Sequence, residues 1–145
     1  MITTDARVII SERAALRDHL HGAWWPRTHD IVSEIAPLLR VMGGRVRLIV
    51  GVALNRNEWP GAPINLPTSA VGRVKVSWYA LAEPHLIVVR ADKVRKYSML
   101  IVPPNTDEDV ALAAMLMASR PGNDLGTLEV LANAHATTVA TTKSD

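Results

Sequence analysis

Two adjacent tryptophans directly before a proline constrain the fold of this chain more than any other feature. Trp24 and Trp25 lie in the run Gly22–Arg27 (GAWWPR), and a third tryptophan, Trp59, also precedes a proline. The chain has no phenylalanine and only two tyrosines, so the rest of its core must be aliphatic. An indole combines a large apolar area with one N–H group that needs a partner. The run therefore predicts either a corner of the fold or the wall of a pocket.

Length and composition indicate one globular domain. The chain has 145 residues, of which 48% are hydrophobic and 21% charged, which is ordinary for a protein with its own core. We expect one α+β domain over residues 1–120 and a C-terminal extension over 121–145, partly helical and then disordered. The absence of cysteine excludes disulfides and thiolate metal sites. Because neither a bilayer-length apolar run nor a signal-peptide pattern is present, we expect a cytoplasmic protein.

Five segments carry the alternating or β-branched pattern of strands. They are 7–10, 45–54, 73–80, 86–89 and 97–102, and a short edge strand is expected at 64–66 within the long loop 55–72. Alternation of polar and apolar residues is typical of antiparallel strands with one face packed and the other in solvent. We therefore predict a single antiparallel, twisted sheet of about five strands, the last two joined as a hairpin.

Two main helices are predicted to pack on one face of this sheet. The first covers 29–42, with Thr28 as its N-cap, and Pro37 is expected either to kink it or to start a second short helix. The second covers 107–119 and is apolar on most sides, which is typical of a helix that is well buried or forms a homo-oligomer interface. A last short helix is predicted at 127–136, in the extension.

Several of these elements together resemble a small actinobacterial domain family of unknown function. The resemblance rests on the GAWWPR motif at 22–27, on Trp59 after a strand, and on the Val-Pro-Pro-x-Thr-Asp element at 102–107, and it covers roughly residues 7–118. The family has no established activity, so the resemblance implies a fold and an origin but no chemistry. This chain has His21 where an aspartate usually precedes the glycine.

The first candidate site is the corner that contains the tryptophans. Its members are Trp24, Trp25, Arg27, His29 and Trp59. As a ligand site, the indoles would form apolar walls, and Arg27 would present a bidentate fork to a carboxylate or phosphate at a helix N-terminus. As a fold corner, an indole would plug the core while Arg27 pairs with an acidic residue of the following helix. Aromatic anchors serve packing more often, but adjacent tryptophans rarely both bury, so we expect one half-exposed indole.

The second candidate site is the polar face of the predicted sheet. Residues 45–97 hold nine Lys or Arg against three Asp or Glu, whereas 98–145 hold two against six. Arg45, Arg47, Arg73, Lys75 and Tyr79 share the polar phase of their strands, with Arg90 and Lys96 as candidate neighbours. A basic sheet face with an aromatic residue is how several single-strand binders work. The same pattern is also that of a solvated face that keeps the sheet soluble.

Other chemistry finds little support in the sequence. His19, His21 and His29 could form a metal site, but no zinc motif accompanies them, so we interpret them as surface histidines and expect no metal. The chain has no phosphate-binding glycine loop, nucleophile elbow or HExxH motif. We expect no cofactor.

The function that the sequence favours is a non-catalytic binding or regulatory module. It would act through the Trp/Arg corner on a protein or a small anionic ligand. The first alternative is a nucleic-acid or ribosome-associated protein that uses the basic sheet face. A third is a small-molecule enzyme in the tryptophan-lined corner, because a catalytic pair assembled only in three dimensions leaves no motif.

Overall fold

The computed structural model describes residues 6–11, 19–44, 46, 48–80, 83–92 and 95–143. The strands are β1 (Arg7–Ile10), β2 (Gly22–Trp25), β3 (Ile49–Asn55), β4 (Lys75–Tyr79), β5 (Leu86–Ala91) and β6 (Arg95–Ile101). The helices are α1 (Ile31–Gly43), α2 (Thr68–Val71), α3 (Glu108–Ala118) and α4 (Thr127–Lys143), and one 3₁₀ turn covers Arg56–Glu58. The expected α+β class is confirmed.

These strands form one six-stranded mixed sheet in the order β1-β2-β6-β5-β3-β4. The pairs β1–β2, β3–β5 and β5–β6 are antiparallel, so the expected hairpin of the last two strands is confirmed. The pairs β2–β6 and β3–β4 are parallel, which corrects the purely antiparallel sheet of about five strands. Parallel neighbours require a crossover connection. The long loop after β3, which contains α2, makes that crossover, and no strand forms at 64–66.

The additional strand is β2, which lies within the tryptophan run. The sequence suggested a fold corner or a pocket wall there, because a proline and an arginine follow the two tryptophans. All four of its residues are buried. Strands covered on both faces are apolar throughout. Trp24 packs on one face of the sheet and Trp25 on the other, as adjacent strand residues must.

Helices cover both faces of the sheet, which corrects the expected packing on one face. On the first face, called the α1 face, Ile31, Ile35, Leu38 and Met42 of α1 pack against Trp24 and the inward residues of β3, β5 and β6. On the second, called the α3–α4 face, α3 and α4 pack against Ala23, Trp25, Leu86 and Leu100. The two tryptophans need a cover on each side, so one helical layer could not bury both.

The helix termini predicted from the sequence were only partly correct. Helix α1 has Asp30, not Thr28, at its N-cap, and Pro37 lies inside one continuous helix. The Thr28 hydroxyl donates to Glu34 Oε2 (3.0 Å) and accepts the N–H of Asp30 (3.1 Å), so it stabilises the loop before the helix. Helix α4 continues to Lys143, well beyond the expected end at 136, where disorder was predicted. Its Val130 and Ala134 are fully buried against α3.

Candidate functional site

Trp24 and Trp59 form an aromatic stack inside the core of the α1 face. Their ring centroids lie 5.6 Å apart with an interplanar angle of 22°, and the two residues are only 1% and 3% exposed. Burial of this extent is that of packing residues. The stack joins the end of β2 to the turn after β3, so it holds two loops of this end of the sheet together.

Trp25 is buried on the opposite face, beneath Arg7. The guanidinium carbon of Arg7 lies 3.6 Å from the ring centroid, and Arg7 donates from Nε to the carbonyl of Trp25 (3.0 Å) and from Nη2 to that of Pro26 (3.1 Å). Partial burial, followed by the positive charge of Arg27, lowers the pKa of Arg7. Trp25 is only 7% exposed, so the expectation of one half-exposed indole in the pair is wrong. The ring of Trp25 makes a cation–π contact with Arg7, which takes the place that a ligand would need.

Arg27 and His29 lie on the exposed loop between β2 and α1. The backbone N–H of Arg27 donates to Glu34 Oε1 at 2.9 Å, so Glu34 of α1 orders this loop from the helix side. Arg27 does not line the pocket described next, whereas His29 does. The structure therefore separates the five corner residues. Trp59 and His29 border a pocket, and Trp24 stacks on Trp59 behind it. Trp25 packs on the other face of the sheet, and Arg27 lies outside the pocket lining.

A pocket of about 270 Å³ opens at this end of the sheet. It is lined by Pro26, His29, Asn57, Glu58, Trp59, Pro60, His85, Ile101, Pro103 and Pro104. Loops from four distant parts of the chain meet there, and four prolines make its walls apolar and stiff. Small-molecule sites typically combine such walls with a few convergent polar groups.

Glu58 and His85 are the polar pair of the pocket. Glu58 Oε2 accepts the backbone N–H of His85 and lies 3.9 Å from His85 Nδ1. The other carboxylate oxygen, Oε1, is buried and has no hydrogen-bond partner among the described residues. His85 has a positive φ of 55°, so the carboxylate contact fixes an unusual backbone turn. Neither residue was predicted as part of a site, since the only signals in the sequence are the position of Glu58 before Trp59 and of His85 after Pro84.

The structure brings some of the basic residues of the predicted sheet face together. Lys75 on β4, Arg90 on β5 and Lys96 on β6 lie in one cross-strand line through Gly51 of β3. All three cations are exposed. We call this set the basic row. Tyr79 lies further along β4 and is 59% exposed.

The other expected members of the sheet face are less well placed. Arg73 is exposed, but it lies two residues before Lys75 and therefore outside β4. Arg45 and Arg47 lie outside the described residues.

The histidines expected at the surface take different positions. His19 contacts Glu83 through its imidazole, and His21 is buried, with Nδ1 accepting the N–H of Ser98 at 3.1 Å. Within the described part of the chain, no group of three or more His, Cys, Asp or Glu side chains is arranged to hold a metal ion. No helix among the described residues is both long and apolar enough to cross a bilayer.

Comparison with known proteins identifies a family for this chain but no characterised relative. Neither the curated proteins nor the solved structures contain a significant relative of this chain. Residues 7–118 match a family of unknown function, DUF5994. The matched region contains all six strands, the helices α1 to α3 and the whole lining of the pocket, and it ends before α4. Because the match covers more than half of the chain, this protein belongs to the DUF5994 family of unknown function.

Proposed function

We propose that the protein is a binding module whose ligand is a small molecule held in the pocket between His29, Trp59 and His85. The observation that carries the proposal is the pocket itself, with a buried carboxylate oxygen of Glu58 that has no partner among the described residues. A buried acceptor without a donor costs roughly 1–3 kcal/mol. A ligand that donates a hydrogen bond to this oxygen would recover that cost.

The lining argues for a ligand that donates hydrogen bonds rather than for an anion. No lysine or arginine is among the residues that line the pocket, and Glu58 contributes a carboxylate. The expectation of an anionic ligand was based on Arg27, and Arg27 is not among the residues that line the pocket. A compact amine or alcohol with an apolar ring fits the proline and tryptophan walls better. The volume is just below the usual range of roughly 300–1,000 Å³ for small-molecule sites, which also favours a compact ligand.

Binding is favoured over catalysis by the geometry of the polar pair. The 3.9 Å between His85 Nδ1 and Glu58 Oε2 is longer than a hydrogen bond, which normally spans about 2.7–3.2 Å. The carboxylate instead accepts the backbone N–H of the same histidine. This contact supports a role for Glu58 in ordering the pocket wall, and the proposal assigns the pair no acid–base step.

Screening of small fragments by NMR chemical shifts tests this proposal. The panel contains ring-bearing amines, alcohols and carboxylates of similar size. We expect amines and alcohols to bind and to shift the amides of residues 57–60 and 85. Glu58→Gln retains an acceptor for the N–H of His85 but removes the charge, so amines should bind about tenfold more weakly. His29→Ala should also weaken binding, whereas His135→Ala on the exposed side of α4 should not.

Two results would contradict the proposal. One is a preference for carboxylates that depends on Arg27, which would restore the anion hypothesis. The other is fragment binding that is equal in wild type, Glu58→Gln and His29→Ala. Circular dichroism and melting temperature confirm for each variant that the fold is intact, so weaker binding is attributable to the pocket.

A further inference from the structure

The basic row is formed by strand register and not by neighbouring residues in sequence. Lys75 lies opposite Gly51, Gly51 lies opposite Arg90, and Arg90 lies opposite Lys96. Directly opposed residues point to the same face of a sheet. Adjacent strands are about 4.8 Å apart, so Lys96 and Arg90 are neighbours, and Lys75 lies about 10 Å beyond Arg90. The three cations therefore lie in one line that runs across four strands.

The surroundings of this row leave its charges accessible. Gly51 has no side chain between Arg90 and Lys75, and the next row contains Ser77, Ala53, Val88 and Ser98, three of which are small. Helices α3 and α4 cover the opposite end of the same face, at Leu86 and Leu100. The ion pairs among the described residues involve only histidines. No described carboxylate therefore lies within 4.0 Å of any of the three cations.

Tyr79 adds an aromatic ring to the same face. It is four residues along β4 from Lys75, so the two residues point in the same direction and lie roughly 13 Å apart. Its ring is more than half exposed, whereas Trp78 beside it points to the α1 face and donates its indole N–H to the carbonyl of Ile64 (3.2 Å). Exposed cations with one stacking ring match the chemistry of an unpaired nucleic-acid strand, whose phosphates and bases both need partners.

We propose that the basic row and Tyr79 form a sequence-independent binding surface for single-stranded nucleic acid. The three cations neutralise phosphates, and Tyr79 stacks on one base. The three cations are distant from the pocket, since Arg90 lies five residues along β5 from His85, roughly 17 Å away, whereas Tyr79 borders a neighbouring depression together with Asn57 and Glu58. The proposal does not depend on the proposed pocket ligand, and either can fail alone.

Fluorescence anisotropy with labelled oligouridylate and oligothymidylate tests the surface. Strands of about 12 nucleotides lie within the usual site sizes of roughly 4–16. With three phosphate contacts to a single strand, affinity should fall about 20-fold between about 50 and 200 mM salt. The double variant Arg90→Gln, Lys96→Gln leaves one contact, so the fall should shrink to about threefold. Tyr79→Ala should weaken binding about tenfold without changing the salt dependence.

The matched control is the double variant Arg40→Gln, Arg120→Gln. It removes the same charge from two exposed arginines that are not on the sheet, one on α1 and one after α3. We expect it to bind as the wild type does. Equal losses in both double variants would overturn the proposal, since binding would then follow net charge alone.

Three further results would also overturn it. They are no binding to either strand, tighter binding to a duplex of the same length, and tighter binding to vesicles that contain phosphatidylserine. The last would assign the face to an anionic membrane surface. All variants change exposed side chains, and circular dichroism verifies that each remains folded.

Discussion

At the scale of single residues, the adjacent tryptophans show how position on a strand decides the role of a side chain. Trp24 stacks on Trp59 beneath α1, and Trp25 lies under the Arg7 guanidinium on the other face. From the sequence alone, this run could be either a corner of the fold or the wall of a pocket, and the structure places both indoles in the buried strand β2. The sequence could not predict that both indoles would be buried, because this required a helical layer on each face.

Gly22 is the residue at which a minimal change should disturb the fold most. A Cβ at this position would lie 2.1 Å from the carbonyl oxygen of Ile9 and 3.0 Å from Cα of Ile10. Both are backbone atoms of the paired strand and cannot rotate away. We expect Gly22→Ala to lower the free energy of unfolding by about 3 kcal/mol or more, at the upper end of overpacking effects. Urea denaturation followed by circular dichroism measures this.

The control variant is expected to change the free energy of unfolding in the opposite direction. Gly43 is the last residue of α1, and a Cβ there meets no atom within 4 Å. Gly43→Ala should therefore stabilise the protein by roughly 0.4–1 kcal/mol, through a less flexible unfolded chain. A Gly22→Ala variant with wild-type stability would show that β1 and β2 do not approach as closely as described.

At the scale of elements, α4 is attached to the domain by a cap from a distant loop. The N–H of Thr127 donates to Glu83 Oε1 at 2.9 Å, and its hydroxyl donates to the carbonyl of Pro84 at 2.6 Å. Thr127 is fully buried. A carboxylate at a helix N-terminus satisfies a free N–H and favours the helix dipole. The loop before β5 thus determines where α4 begins.

Thr127→Val removes the hydroxyl without changing the volume. The carbonyl of Pro84 then loses its donor, and the buried position of residue 127 receives a methyl group instead, which should lower the free energy of unfolding by about 1 kcal/mol. The control is Thr106→Val, since the hydroxyl of Thr106 makes no hydrogen bond to any described residue, and its effect should stay within about 0.5 kcal/mol. Thermal denaturation compares the two, and equal melting temperatures would contradict the capping role of Thr127.

At the scale of the whole molecule, the part of the chain outside the family match contributes to the core. The match ends at residue 118, yet Val130 and Ala134 of α4 share one buried cluster with α3 and β2. The predicted division at residue 120 therefore separates residues that pack together. The sequence could not indicate this, because eight of the 17 residues of α4 are apolar and four of those are alanines, so the residues that pack on α3 do not stand out.

Deletion of residues 121–145 tests the contribution of α4. Removing the helix exposes the outer side of α3, and the lost burial of Val130, Leu131 and Leu125 should cost roughly 4 kcal/mol or more. We expect a lower urea midpoint and increased binding of a hydrophobic dye. Deletion of residues 144–145 alone is the control and should have no effect. An unchanged midpoint in the longer deletion would identify α4 as a dispensable extension.

Local patterns in the sequence determined the positions of most elements. Alternation and β-branched runs located β1, β4, β5 and β6 to within a few residues, and the spacing of Ile31, Ile35 and Leu38 identified α1. These signals are local, since side-chain periodicity follows directly from strand and helix geometry. The same alternation indicated that a basic face exists and that Lys75 and Tyr79 belong to it.

Only the tertiary structure decided the strand order, the two parallel pairs and the composition of both candidate sites. The pocket joins His29, Glu58, His85 and Pro103, which are far apart in the chain, and the basic row depends on the register of four strands. Register and strand order are set by long-range pairing and by which faces need burial. A local pattern contains no information on either, because a strand with a given alternation fits several neighbours equally well.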